Sequence, residues 1–241
     1  MDKRVRSRIW LSVVALLALI PLTLAAMLTA NGVDTDVGVD DRRVIDDLDL
    51  DGTCRGVDEF EDQLRCIESV QATIAFEFPD TSDSFQKGET GHEPGDYATR
   101  GYGPCYDRAR LIEQTLRHYG FDARRIALYE RQRGPWNYLR PGIRSHALTE
   151  VETARGWVVV DSVKPFVAVD YDQKPWTIDE LRDGLADGAI DDETFASPIP
   201  DDLFDGEFIY VQGLHSRHGY FFEPHLPVPE INWEHFGISR I

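Results

Sequence analysis

Three residues in the middle of the chain have the types that thiol chemistry needs. Cys105 follows Gly-Tyr-Gly-Pro and stands where an amphipathic helix is expected to begin. The free N–H groups and the dipole at a helix N-terminus favour the thiolate, which is the nucleophilic form of cysteine. A thiolate nucleophile works with a base, and the base needs a group that orients it. His146 and Asp161 are the candidates for these two roles.

The segments "SHALTEVET" and "GWVVVDS" are expected to bring the two candidates together. Both have the composition of strands, and a short turn separates them. A turn centred near residues 153 and 154 sets His146 opposite Asp161 and Leu148 opposite Val159. Directly opposed residues have Cβ atoms about 4.5–5.5 Å apart, close enough for a carboxylate to bond an imidazole. We therefore predict a Cys–His–Asp arrangement, with the cysteine on a helix and the other two residues on a sheet.

The spacing of apolar residues predicts the elements around this arrangement. The expected elements are helices over residues 58–76 and 104–119, strands over 121–130 and 206–214, and a short helix after the N-cap Thr177. Gly120 supplies the C-terminal cap of the second helix. Because the helices come first and an antiparallel sheet follows, the order predicts an α+β fold in one domain over residues 53–241.

Residues 100–162 resemble the transglutaminase-like core of the papain-like cysteine enzymes. Three blocks carry the resemblance, in the order and at the spacing of that family: "GPCYDRARLIEQTLRHYGFDARRIAL", "SHALTEVET" and "GWVVVDS". The matching positions are Cys105 and Ala109, Gly120 with Ala123 and Arg124, His146 and Ala147, and Gly156, Trp157 and Asp161. Leu148 departs from the family, many of whose members have Trp after the His-Ala pair.

The resemblance implies a catalytic triad. Cys105 is the nucleophile, His146 the general base and acid, and Asp161 the residue that orients the imidazole. One expected oxyanion donor is the backbone N–H of Cys105; Tyr102 and Gln86 are candidates for a second.

The implied reaction is attack on an amide or ester carbonyl of a protein, peptide or other amide-bearing substrate, through a thioester. Water or an amine then resolves the thioester, and hydrolysis by a protease or amidase is slightly favoured over transfer. The alternative is a catalytically inactive binding or scaffolding module that keeps the fold.

The N-terminus has the composition of a membrane anchor. Residues 1–8 carry four basic side chains, and residues 9–30 carry no charge and are rich in apolar residues. As a helix this run is about 30 Å long, the thickness of the hydrocarbon core of a bilayer. The basic flank predicts a cytoplasmic tail, a single-pass anchor in the cell membrane and an extracytoplasmic domain that meets its substrate in the cell envelope. A cleaved signal peptide is the alternative.

The formal net charge of −18 over 241 residues makes nucleic acid an improbable partner, because such a surface repels phosphates. Residues 31–52 are rich in Asp and predict a solvated acidic linker. Within them Asp47, Asp49 and Asp51 match the start of a calcium loop that would end at Asp58, so calcium is the one cofactor left open and none is otherwise expected.

Three cysteines are present. In an oxidising compartment Cys54 and Cys66 are the natural pair, although both could remain reduced, and pairing leaves Cys105 free.

Overall fold

The structure is a computed structural model that describes residues 3–30, 32–33, 35–79, 93–134, 137, 143–215 and 230–239. The helices are α1 (Lys3–Ala30), α2 (Val39–Asp47), α3 (Asp51–Cys54), α4 (Phe60–Glu77), α5 (Pro94–Arg100), α6 (Cys105–His118) and α7 (Ile178–Ala186). The strands are β1 (Ala123–Glu130), β2 (Ser145–Thr153), β3 (Gly156–Asp161), β4 (Phe208–Gln212), β5 (Leu214–His215), β6 (Glu230–Ile231) and β7 (Gly237–Ile238). The α+β class is thus confirmed.

Within the described residues, five strands form an antiparallel sheet in the order β3-β2-β1-β4-β7. Strands β5 and β6 form a separate antiparallel pair. The predicted strand over residues 206–214 is therefore not the last one. Helix α6 packs against β1 and β2, and α4 packs against α6. This layering places the first turn of α6 beside the central strands of the sheet.

The predicted helix starts and ends follow from local chemistry. Thr177 caps α7 through a reciprocal pair of bonds with Glu180, as the sequence predicts. Gly120 has φ +93° just after α6, a left-handed conformation that a residue without Cβ adopts at low cost. Helix α6 is therefore held to a defined length before β1 begins.

The prediction of a solvated linker over residues 31–52 is wrong for its second half. Residues Val39–Asp47 form α2, and α3 begins at Asp51. Ile45 and Leu50 are buried in the main hydrophobic core. These apolar side chains anchor the segment while its carboxylates face outward, so a high Asp content does not by itself indicate a linker. In the described part of the chain no group of three or more His, Cys, Asp and Glu side chains is arranged to hold a metal ion.

Cys54 and Cys66 form a disulfide bond, which confirms the pairing and leaves Cys105 as a free, buried thiol. The bond joins the end of α3 to the second turn of α4, across a separation of 12 residues. It therefore ties the acidic segment to the helix that packs behind α6.

The prediction of a membrane anchor is corrected. Across the described ranges, no helix is both long and apolar enough to cross a membrane. The single-pass location and the extracytoplasmic placement that followed from the anchor over residues 9–30 are corrected with it.

Candidate active site

The first turn of α6 presents Cys105. Pro104 is the N-cap of the helix, and Cys105 is its first residue, with 5% of its surface exposed. Proline is tolerated here because the N–H that it lacks has no partner within a helix. A side chain at Gly103 would place a Cβ 2.9 Å from the Cβ of Asp107, so only glycine lets the chain enter the helix this tightly. Asp107 is buried and pairs with Arg100 at 2.8 Å.

Small side chains let α6 approach β2 closely. Cys105 and Ala109 of the helix pack with Ala147 of the strand in a small buried cluster. The hydroxyl of Thr149 donates to the carbonyl oxygen of Ala109 at 2.9 Å, which ties the helix to the strand. Ala109 and Ala147 are small enough to let the helix and the strand lie close together. Together they bring the thiol beside His146.

His146 and Asp161 are in contact, as predicted, but through a different register. Leu148, not His146, lies directly opposite Asp161, and Thr153 pairs with Gly156. The turn therefore lies at residues 154–155, and the whole pairing is shifted by two residues. A shift of two keeps every side chain on its predicted face. His146 thus becomes the diagonal neighbour of Asp161, and its ring spans the extra distance to place Nε2 2.8 Å from Oδ2.

The carboxylate of Asp161 is held by backbone donors. Its Oδ1 accepts from the N–H groups of Val163 at 2.6 Å and Lys164 at 2.7 Å. Its Oδ2 is thereby directed to His146. The turn that begins at Asp161 therefore determines which oxygen meets the imidazole.

Gln71 of α4 is a contributor that the sequence analysis missed. Its buried amide donates to the carbonyl oxygens of Asp161 at 2.6 Å and of Lys164 and Phe166 at 3.0 Å each. These bonds hold the backbone turn that carries the carboxylate. A signal was present, because Gln71 lies on the buried stripe of α4 between Ile67 and Ile74, where a polar side chain needs partners.

The electrostatics of the site favour an imidazolium–carboxylate pair. Burial opposes the charged imidazole, but the charge of Asp161 and hydrogen bonds to Asp161 and Cys105 together hold the pKa of His146 well above its ordinary value. Burial likewise opposes the carboxylate, yet the charge of His146, its hydrogen bond and the two backbone donors lower the pKa of Asp161. Because Nε2 is bonded to Asp161, Nδ1 is the ring nitrogen that remains for the thiol.

The remaining predictions for the site are of two kinds. Tyr102 is half-buried just before α6, and the oxyanion role proposed for it stays a prediction. Gln86 lies outside the described residues. A cavity of about 550 Å³ is lined by residues that include Glu130, Arg144 and Phe204, but not by the three predicted catalytic residues. That cavity is therefore not the immediate surroundings of the thiol.

Comparison with known proteins finds no family model, no curated protein and no solved structure that matches the chain. The transglutaminase-like resemblance therefore remains a prediction. The functional argument depends on the side-chain geometry described above.

Proposed function

We propose that the chain is a cysteine hydrolase or acyltransferase of transglutaminase-like type, built on a papain-like core. One observation carries the proposal: a buried His146–Asp161 pair is hydrogen-bonded to a free thiol, Cys105, at a helix N-terminus. Each member alone has a structural explanation. A free cysteine bonded to a histidine that a buried carboxylate orients is the arrangement that activates a thiol nucleophile.

The reaction follows from the positions of the three side chains. The Cys105 sulfur attacks the carbonyl carbon of an amide or ester, and the carbonyl oxygen becomes an oxyanion that the backbone N–H of Cys105 can stabilise. His146 gives its proton to the leaving nitrogen or oxygen as the carbon–heteroatom bond breaks, which leaves a thioester. Asp161 holds the ring in place and stabilises its charged form.

A second nucleophile completes the cycle. Water gives up a proton to His146 and attacks the thioester, the carbon–sulfur bond breaks, and a carboxylic acid leaves. A primary amine in place of water gives a new amide. We favour hydrolysis, with a protein, peptide or other amide-bearing molecule as the substrate.

The proposal is tested by the pH dependence of Cys105 alkylation. Iodoacetamide should label the wild-type thiol well below the free-thiol pKa of about 8.5. His146→Ala should slow the labelling near neutral pH, because it removes the imidazolium that stabilises the thiolate. The masses of peptides from the digested protein assign the label to Cys105. Cys54 and Cys66 are protected by their disulfide bond. A labelling rate that rises only near pH 8.5 and is the same in His146→Ala as in wild type contradicts the proposal and favours an inactive binding module.

A small activated ester then tests turnover. With p-nitrophenyl acetate, wild-type protein should release nitrophenol in a burst and carry an acetyl group on Cys105, whereas Cys105→Ser should do neither at a comparable rate. Addition of glycinamide separates the two outcomes of the second step. Acetylglycinamide as the main product would indicate transfer, and acetate would indicate hydrolysis.

A further inference from the structure

Arg125 is a buried cation close to the first turn of α6. It lies on β1, only 1% of its surface is exposed, and it is among the largest fully buried side chains described. Its guanidinium carbon lies 4.8 Å from the centre of the Tyr106 ring. Tyr106 is the residue that follows Cys105, so the cation faces the turn that carries the thiol.

The guanidinium has little to compensate its charge. Its Nη1 donates to the carbonyl oxygen of Leu214 at 2.6 Å. Its Nε and Nη2 have no hydrogen-bond partner among the residues that the structure describes. Burial lowers the pKa of Arg125, but an arginine starts so high that it stays protonated. A buried charge without an ion-pair partner is unfavourable, so the surrounding groups must supply negative potential.

The nearest carboxylates are already engaged. Glu113 of α6 accepts from Arg110 at 2.9 Å. Asp107, in the same first turn, pairs with Arg100, and Asp161 of β3 pairs with His146 of β2. Glu113 therefore acts on Arg125 only through its charge, and none of these carboxylates is ion-paired with Arg125 in the described structure.

The other ionisable groups around Arg125 are Tyr106, Tyr129 and Cys105, each of which would stabilise the guanidinium if it were negative. Burial raises the pKa of Tyr106 well above its ordinary value, so that hydroxyl stays neutral. Of the three, the thiol of Cys105 is the group that is hydrogen-bonded to a base, His146, which can take its proton.

We propose that Arg125 is a positioning residue whose buried charge stabilises the thiolate of Cys105. The helix N-terminus and the imidazolium favour the thiolate, and Arg125, packed on the Tyr106 ring, adds a further positive charge to the surroundings of the sulfur. The inference builds on the proposed function, because it assigns a role in forming the same nucleophile. It accounts for an interior arginine that forms no ion pair with a carboxylate in the described ranges.

The test compares alkylation of Cys105 against pH in wild-type protein and three variants. Arg125→Gln removes the charge and keeps a donor for the Leu214 carbonyl; Arg125→Lys keeps the charge. Arg144→Gln is the matched control, since it removes the same charge from an exposed side chain two residues before His146. Arg125→Gln should raise the midpoint of the alkylation profile by about one pH unit, the low end of the effect of a close opposite charge. Labelling below the midpoint should slow about tenfold, as one unit implies.

Arg125→Lys should stay near the wild-type midpoint, and Arg144→Gln should not move it. A Lys variant shifted as far as the Gln variant would overturn the proposal, since packing and not charge would then be responsible. So would a Gln variant with the wild-type midpoint. Near-UV circular dichroism verifies the fold, and Arg125→Met replaces the Gln variant if that one does not fold. A wild-type midpoint near 8.5 would instead refute the proposed function itself.

Discussion

The substitution Asp161→Asn tests the site most directly, because the structure predicts how the new amide must orient. The two oxygens of Asp161 have different partners: Oδ1 accepts from two backbone N–H groups, and Oδ2 faces Nε2 of His146. Asparagine has one oxygen and one NH₂ group. It can satisfy the backbone or the imidazole, but not both in the arrangement of the wild-type protein.

The amide oxygen of the new asparagine should accept from the two backbone N–H groups and not from His146. Turning the NH₂ group toward two N–H donors would remove the acceptor of two part-buried hydrogen bonds, at about 1 kcal/mol each, and would set donor against donor. The amide oxygen therefore takes the place of Oδ1, and the NH₂ group faces Nε2. His146 must then accept at Nε2 and carry its proton on Nδ1. In this tautomer the ring cannot take the proton of the Cys105 thiol.

The loss of charge acts in the same direction. Among the groups around His146, Asp161 does most to raise its pKa against the effect of burial. Without the carboxylate the imidazolium is lost, and with it the positive charge beside the Cys105 sulfur. A thiol with the free value of about 8.5 is only about 1% thiolate at pH 6.5, so labelling at that pH should slow by roughly a hundredfold.

The assay is iodoacetamide labelling at pH 6.5, with Asp170→Asn as the control. Asp170 has the same pattern of partners: Oδ1 accepts from the N–H groups of Asp172 and Lys174, and Oδ2 accepts from the indole of Trp176. The same chemical change there should leave the labelling rate unchanged. If Asp161→Asn keeps its near-UV spectrum and is labelled at the wild-type rate, the assigned roles of Asp161 and of the tautomer are refuted.

Three further predictions concern stability. In urea unfolding, Gln71→Leu should cost about 1–3 kcal/mol, because the carbonyl oxygens of Asp161, Lys164 and Phe166 each lose a donor, although those of Lys164 and Phe166 keep a backbone donor. Gln63→Leu on the same helix loses only an exposed hydrogen bond from the N–H of Ala154 and should cost under ~1 kcal/mol. Replacing Cys54 and Cys66 by alanine should cost about 3 kcal/mol, as expected for a short closed loop, and leave thiol labelling unchanged. The melting-temperature advantage of wild type over Asp161→Asn should be greatest between about pH 4 and 6.5. A histidine whose pKa is raised on folding stabilises the folded protein below the unfolded pKa of histidine. An aspartate whose pKa is lowered on folding stabilises it above the unfolded pKa of aspartate.

The parts of the site that depend on local sequence could be predicted. A helix that begins at Cys105 follows from Gly-Pro and the apolar spacing after it, and the alternation in β2 and β3 puts His146 and Asp161 on one face. The register was missed by two residues because strand pairing depends on where the turn closes. Gly156, with φ +118°, takes the position just after a two-residue turn. The face was still right, because an even shift preserves it.

The parts that depend on contacts distant in sequence could not be predicted. Gln71 lies 90 residues before the carbonyl that it binds most closely. Arg125 and its neighbour Arg124 point to opposite faces of β1: Arg124 pairs with Glu150, whereas Arg125 is buried and forms no ion pair with a carboxylate among the described residues. The acidic segment before α4 looked solvated because its composition is dominated by Asp, and a few apolar side chains were enough to fold it onto the core.

Helix α6 shows why the site can be rigid although its nucleophile lies on a helix rich in charge. Every residue from Cys105 to Leu116 is buried, including Asp107, Arg110 and Glu113. An amphipathic helix packed on one sheet would expose these side chains, but here ion pairs with neighbouring segments cover that face. Removing one partner of a buried pair is far more costly than the pair is stabilising. The helix is thus fixed in position on all sides, and the thiol at its first residue is held against the imidazole without relying on the apolar core alone.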